Sequence, residues 1–191
     1  MRIQKDNIVI RRATVDDAIQ LNKWWNDGKL MEYVGFPYGL GEPLEETINN
    51  IKSRQGKLNQ LCIIEIDGRP VGELGYNIKG DTAYPGWKIC DFNYQNRGYG
   101  PKIIMMLFEF LFTDEAINSK CQINKIVWDT MLENKRAQHV YEDKIGARRT
   151  GIRENAWKDQ TGKWRTGIYY EMTREEFYQK NNKNTPTSKE K

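Results

Sequence analysis

Gln95-Asn96-Arg97-Gly98-Tyr99-Gly100 lies between an apolar run ending near Phe92 and a second running from Ile103 to Phe112. A glycine-containing turn that leads from a strand into a helix gathers backbone N–H groups at the positive end of the helix dipole, where a phosphate is stabilised. The spacing Gln-x-x-Gly-x-Gly lacks the Gly-Lys-Ser/Thr ending of a P-loop and differs from the Gly-x-Gly-x-x-Gly of a dinucleotide fold. It reads as a cradle for a pyrophosphate with no essential magnesium clamp, to which Arg97 and Lys102 can add charge. The competing reading is a turn whose glycines serve only close helix packing.

Working outward from the cradle, the pattern alternates strands and helices. Ile8–Arg12 reads as a first strand, and Thr14 with Asp17 three residues on as a capping-box start for a helix to about Trp25. Leu44, Ile48 and Ile51 behind Pro43 predict a second helix ending before Gly56. Asp67-Gly68 between Leu61–Ile66 and Arg69–Ile78 is a two-residue hairpin signal, and a turn at Gly80-Asp81 leads to a strand from about Ala83 to Phe92. An apolar helix from Pro101 to about Thr113 follows, apolar on nearly all sides and expected to be buried. Ile123–Asp129 predicts a strand, Asn134–Ile145 a helix stopped by Gly146, and Arg148–Trp157 with Trp164–Met172 a closing hairpin. Thr173 and Glu176 cap a last helical turn. This order implies a mixed α/β, or α+β, three-layer fold whose central, mostly antiparallel sheet has about seven strands and helices on both faces.

The length of 191 residues fits one domain, here 1–178, and a tail, 179–191, with no apolar residue to offset its ordering entropy. From Lys180 on there are four lysines and one glutamate, so three of the four net positive charges sit there and the rest of the chain carries only +1. A nucleic-acid partner is disfavoured on that ground. Cys62, Cys90 and Cys121 are an odd number without metal-ligand spacing, and His139 is the single histidine. No metal site, signal peptide or membrane span is expected, and a cytoplasmic location is.

The cradle, together with Asn134-Lys135-Arg136-Ala137, Tyr141 and Ile145-Gly146-Ala147 downstream, resembles the GNAT superfamily of acetyl-CoA-dependent N-acetyltransferases. The likeness covers roughly Ile8 to Met172. It implies the GNAT fold, acetyl-CoA as co-substrate, no metal, and direct transfer to a primary amine in a ternary complex. On this resemblance the pantetheine arm follows the end of the fourth expected strand, Ile89 to Phe92. Cys90 is nearest the amide expected to face the acetyl oxygen, and Asp91 and Phe92 lie alongside. With Gln95, Asn96, Arg97, Gly98, Tyr99, Gly100 and Lys102 they make up the expected cofactor site. Asn134 resembles the family asparagine that contacts the cofactor arm, although a plain N-cap is its other reading.

Tyr141 is the candidate general acid, since a phenol is protonated at neutral pH yet able to donate to a thiolate. For the base that takes the amine proton, Asp129, Glu73 and Asp91 stay open beside ordered water. Acyl transfer through Cys90 is disfavoured because no histidine accompanies it. Aromatics at Trp24, Trp25, Tyr33, Phe36 and Tyr38, among Glu32, Glu42, Glu45 and Glu46, suit a cationic amine. The branch resembled includes ribosomal-protein, diamine and aminoglycoside N-acetyltransferases, so a polyamine-like amine or a protein N-terminus is the expected acceptor. Aminoglycoside acetylation and a non-catalytic acyl-CoA sensor are the alternatives, and the oligomer left open is a homodimer.

Overall fold

The computed structural model describes residues 1–119 and 121–183. Strands β1 (Arg2–Lys5) and β2 (Ile8–Arg12) form an opening hairpin. The sequence reading starts the sheet at Ile8; β1 precedes it because pairing with β2 requires backbone groups, not an apolar pattern. At the next turn, Thr14 donates to the Asp17 carboxylate from its N–H (2.8 Å) and its hydroxyl (3.2 Å), opening the path into α1 (Ala18–Trp25). Burial works against the Asp17 charge, but bonds from Arg11 and Thr14 outweigh it and hold the carboxyl below its ordinary range. Next come α2 (Gly28–Met31), a 3₁₀ turn Glu32–Val34, and α3 (Leu44–Ser53).

The meander is β3 (Gln55–Gly56), β4 (Asn59–Ile66), β5 (Arg69–Lys79) and β6 (Thr82–Ile89). Asp67 and Gly68 join β4 to β5 with φ of 53° and 74°, the pair of positive values a tight hairpin needs. β6 stops at Ile89, short of Phe92. Asp91 accepts a bond from the Asn93 N–H (2.9 Å) and turns the chain into a 3₁₀ turn, Phe92–Tyr94. Then follow α4 (Tyr99–Thr113), α5 (Glu115–Asn118), β7 (Lys125–Met131) and α6 (Lys135–His139), which runs on as a π-helical turn Val140–Lys144.

β8 (Arg148–Lys158) and β9 (Trp164–Thr173) make the closing hairpin. Thr173 and Glu176 exchange capping bonds of 2.7 and 3.1 Å, and the helix they start, α7 (Arg174–Lys183), is longer than one turn. It crosses the expected domain end at Tyr178; the rest of the polar tail lies outside the described residues.

The described residues hold nine strands rather than about seven, β1 and β3 being the additions, in the order β1-β2-β4-β5-β6-β7-β9-β8, with β3 on β4. All neighbours are antiparallel except β6 and β7. β4 shows how the layers arise: Cys62, Ile64 and Ile66 join the core under α4 and α7, while Leu61 and Ile63 join that under α1 and α3. α4 buries Ile103, Ile104, Leu107, Phe108, Leu111 and Phe112 and leaves Lys102, Glu109 and Thr113 outside, so its exposed stripe is narrow but present. No described helix is long and apolar enough to cross a membrane.

Phe108 is fully buried, its ring 6.0 Å from Trp87 and 5.1 Å from Trp128. Phe108→Ala should cost about 3–5 kcal/mol in urea unfolding, and a loss under 1 kcal/mol would mean this layer is not packed as described.

Candidate active site

β6 and β7 pair in parallel at only Thr82↔Lys125 and Ala83↔Ile126. From Tyr84 and Val127 onward neither strand has the other as a ladder partner, and the sheet opens between them. Large rings fill the root of the opening. Trp87 of β6 and Trp128 of β7 lie 5.8 Å apart, and Tyr141 stands edge-on to both at 5.7 Å.

The backbone edge that β6 presents to the opening belongs to Ile89. The N–H groups of Cys90 and Asp91 both donate to the Val71 carbonyl of β5, at 2.7 and 2.9 Å. Strand backbone alternates direction, so Ile89 faces the other way, and its carbonyl accepts the Gln95 side-chain amide at 2.7 Å. This corrects the expectation for Cys90: its amide is committed to β5. Its thiol is buried in the core with Trp24 and Trp25, and burial raises its pKa. Asp91 is engaged as the cap described above, and Phe92 is exposed.

In the cradle, Asn96 has φ 59° and Gly98 φ 77°, and Gly98 is the N-cap of α4. Among the described residues no protein acceptor takes the N–H groups of Asn96, Arg97 or Gly98. A Cβ built on Gly98 or on Gly100 would meet nothing within 4 Å. Close packing therefore explains neither glycine; Gly98 answers to its left-handed backbone, and Gly100 leaves open space over the helix start. Arg97 sits 6.0 Å from the Tyr94 ring, Tyr99 is half-buried, and Lys102 is exposed. Arg136 donates to the Gln95 side-chain carbonyl, tying the cradle to α6 across the opening. A separate groove lined by Lys5, Ile8, Met105, Met106 and Phe177 touches the cradle only through Pro101 and Lys102.

The three acids differ. Glu73 is buried and paired with Lys88 at 3.0 Å, directly across β5 and β6. Asp91 is a cap. Asp129 has no ion pair or side-chain hydrogen bond among the described residues; it is exposed, yet surrounding protein raises its pKa by desolvation alone. Burial is the main cause of the raised Tyr141 pKa, and the charges of Tyr170 and Asp129 add to it.

Tyr141 is buried at 8 % exposure and keeps its proton at neutral pH. Asn134 is the N-cap of α6, its carbonyl oxygen accepting the Ala137 N–H at 3.2 Å. Of the aromatic segment, Trp24 and Trp25 are core residues, whereas Tyr33, Phe36 and Tyr38 are exposed. Burial raises the Tyr33 pKa, followed by the charge of Glu32, and the 3₁₀ turn that carries Tyr33 packs against β7. Glu42, Glu45 and Glu46 sit at the lid base and the first turn of α3. The sequence reading names Ile89 as the start of the arm's path and Arg136 within a motif, but gives neither a role of its own. Strand alternation from a committed Cys90 could have found Ile89; no local pattern announces Arg136.

A family model described as acetyltransferase (GNAT) domain matches residues 7–148. A Bacillus subtilis (strain 168) protein named uncharacterized N-acetyltransferase YnaD is 23 % identical over 184 residues, 93 % of this chain and 99 % of that protein. Among solved structures, RimL, a ribosomal L7/L12 alpha-N-protein acetyltransferase in complex with coenzyme A, superposes with TM-score 0.77 at 16 % identity, over 92 % of this chain and 99 % of that one. A spermidine N-acetyltransferase from Vibrio cholerae, in complex with CoA and spermine, gives TM-score 0.77 at 16 % identity, over 91 % and 99 %.

The glycines separate by stability alone. Gly98→Ala should lose about 1 kcal/mol to left-handed strain, whereas Gly100→Ala should leave stability unchanged or gain up to about 1 kcal/mol. Equal losses in chemical denaturation would contradict the open space over Gly100.

Proposed function

This chain belongs to the GNAT acetyltransferase family, and from that premise we propose that it transfers the acetyl group of acetyl-CoA to a primary amine, directly, in a ternary complex. The observation that carries the reading is the cradle: unpartnered N–H groups at the start of α4, with Gly100 open above them, beside a sheet edge exposed by the parting of β6 and β7. The pyrophosphate of acetyl-CoA suits the cradle, with Arg97, Lys102 and Arg136 as counter-charges. The pantetheine arm suits the Ile89 backbone, whose carbonyl the Gln95 amide holds and whose N–H can donate to the developing oxyanion. Asn134 keeps an amide N–H free for the arm after capping α6.

Asp129 is our choice of base over Glu73, which Lys88 neutralises, and over Asp91, which caps a turn. A carboxyl with raised pKa and no cationic partner accepts a proton from an incoming ammonium more readily than a paired one. Tyr141 packs against Trp128, the residue before Asp129 in β7. Its raised phenol pKa makes it a hydrogen-bond donor to the leaving sulfur first and a full proton donor second. The likeness to acetylases of a ribosomal protein and of spermidine supports a polyamine-like amine or a protein N-terminus as acceptor.

Acetyl-CoA and CoA at 100 times their dissociation constant should each stabilise the protein by about 2.7 kcal/mol, roughly 5–10 °C in Tm, and ATP should not. Gly100→Ala should lose most of that shift. Thiol release should follow for one class in a panel of spermidine, kanamycin and a peptide with a free N-terminus. No shift with acetyl-CoA defeats the cradle assignment; a shift without turnover of any amine favours a sensor. Against the best amine, the acid limb of kcat/KM should lie above the ordinary carboxylate range and vanish in Asp129→Asn. Asp129 is raised on folding, so it favours the folded state at low pH and opposes it as pH rises through the folded pKa. Asp129→Asn should therefore also be more stable than the parent at pH 7.

A further inference from the structure

The lid between α1 and α3 is tied down unevenly. Its base is pinned by its own neighbours: the Leu40 N–H donates to the Trp25 carbonyl (2.8 Å) and the Glu42 N–H to the Asn26 side chain (3.0 Å). The side-chain amides of Asn22 and Asn26 both donate to the Glu42 carbonyl at 3.0 Å, and the Glu42 carboxylate accepts the Thr47 hydroxyl at 2.6 Å. Gly39, with φ 74°, lies so near Asn26 that a Cβ would stand 2.3 Å from its carbonyl oxygen. The tip is different. Among the described residues, Gly35 to Gly39 hydrogen-bond beyond the lid only through Gln160, in the turn between β8 and β9, far along the chain. The Gln160 N–H donates to the Gly35 carbonyl at 2.7 Å, its side-chain carbonyl accepts the Tyr38 N–H at 2.9 Å, and its side-chain amide donates to the Gly39 carbonyl at 2.9 Å.

Gln160 is carried on a rigid mount. The neighbouring Asp159 carboxylate, 1 % exposed, accepts the Thr161 N–H (2.8 Å), the Thr161 hydroxyl (2.6 Å), the Lys163 N–H (3.1 Å) and the Arg165 guanidinium (2.7 Å). The Thr161 hydroxyl leads the causes that hold its pKa at about 2. Arg165 also donates to Glu133 at 3.0 Å, the residue before the α6 cap, so the same brace reaches the wall that carries Asp129 and Tyr141. A braced turn, a loop with a fixed base, and a tip held by one residue together make a latch.

We infer that Gln160 is the positioning residue of the amine-acceptor lid: it fixes the tip Gly35–Gly39 against the turn between β8 and β9 and sets the acceptor's place without touching the acetyl-CoA cradle. The inference rests on the acetyltransferase reading for what the lid covers. Three backbone groups satisfied by one residue are more than the turn needs for its own closure, which Asp159 already provides.

The test is amide hydrogen exchange and steady-state kinetics on the full chain, comparing the parent with Gln160→Ala and Gln160→Glu. Removing two net hydrogen bonds should speed exchange at residues 35–39 about tenfold, leaving β7 and the cradle unchanged. The thermal shift given by acetyl-CoA should be unchanged. With whichever of spermidine, kanamycin or the N-terminal peptide the parent acetylates, KM for the amine should rise about tenfold and kcat stay within about twofold. Gln160→Glu keeps the acceptor for the Tyr38 N–H and loses the donor to Gly39, so it should fall between. Unchanged exchange at 35–39, acceleration across the whole sheet, or parallel changes in kcat and in KM for both substrates would overturn the inference. If the parent neither binds acetyl-CoA nor acetylates any of the three, the acetyltransferase reading fails, while the exchange data still decide whether Gln160 holds the tip.

Discussion

The site depends on a ladder that stops. β6 and β7 share two rungs, and every further backbone group along their facing edges is without a strand partner from the other. Such an edge costs free energy unless something satisfies it. Here Trp87, Trp128 and Tyr141 fill the root of the opening, and the Gln95 amide satisfies the Ile89 carbonyl at its mouth. The rings belong to a packed aromatic layer that also includes Phe108 and Tyr170. The opening is therefore built into the core, and the chemistry grouped around it needs no separate scaffold.

The carboxylates near this opening are sorted by their surroundings, not by their type. Glu73 faces Lys88 across an antiparallel pair, which is the ordinary way a sheet accommodates a buried acid. Asp159 is tied by four donors and serves geometry. Asp129 alone is desolvated without a partner. An acid kept this way is a small debit to the fold, and unsatisfied, perturbed groups of that kind gather where function needs them.

Most of the fold was legible because its signals are local. Asp67-Gly68 and the apolar alternation on either side define a hairpin within a few residues, and Thr14/Asp17 and Thr173/Glu176 announce helix starts by side-chain chemistry alone. β1 and β3 escaped because they are short and are held by backbone pairing. The cradle was legible for the same reason as the hairpin: its glycines, one with a left-handed backbone, sit in six consecutive residues. What could not be read were relations between distant segments. Whether the Cys90 amide is free depends on the register of β5 against β6, since Val71 is the acceptor. Glu73, Asp91 and Asp129 look alike in sequence and differ only through Lys88, Asn93 and an absent partner. Gln160 meets residues more than 120 positions away, and nothing in its own neighbourhood signals it.

The Gln95 contact links the two sides of the opening. Its amide occupies the Ile89 carbonyl while its carbonyl holds Arg136, so one side chain bridges the mouth between the cradle and α6. An extended arm that adds along β6 must compete with Gln95 for Ile89, and displacing the amide also releases the guanidinium. A phosphate arriving in the cradle supplies a stronger, charge-assisted partner for that guanidinium than a neutral amide does. Glutamine suits this place because it carries both a donor and an acceptor and is long enough to reach Ile89 and Arg136.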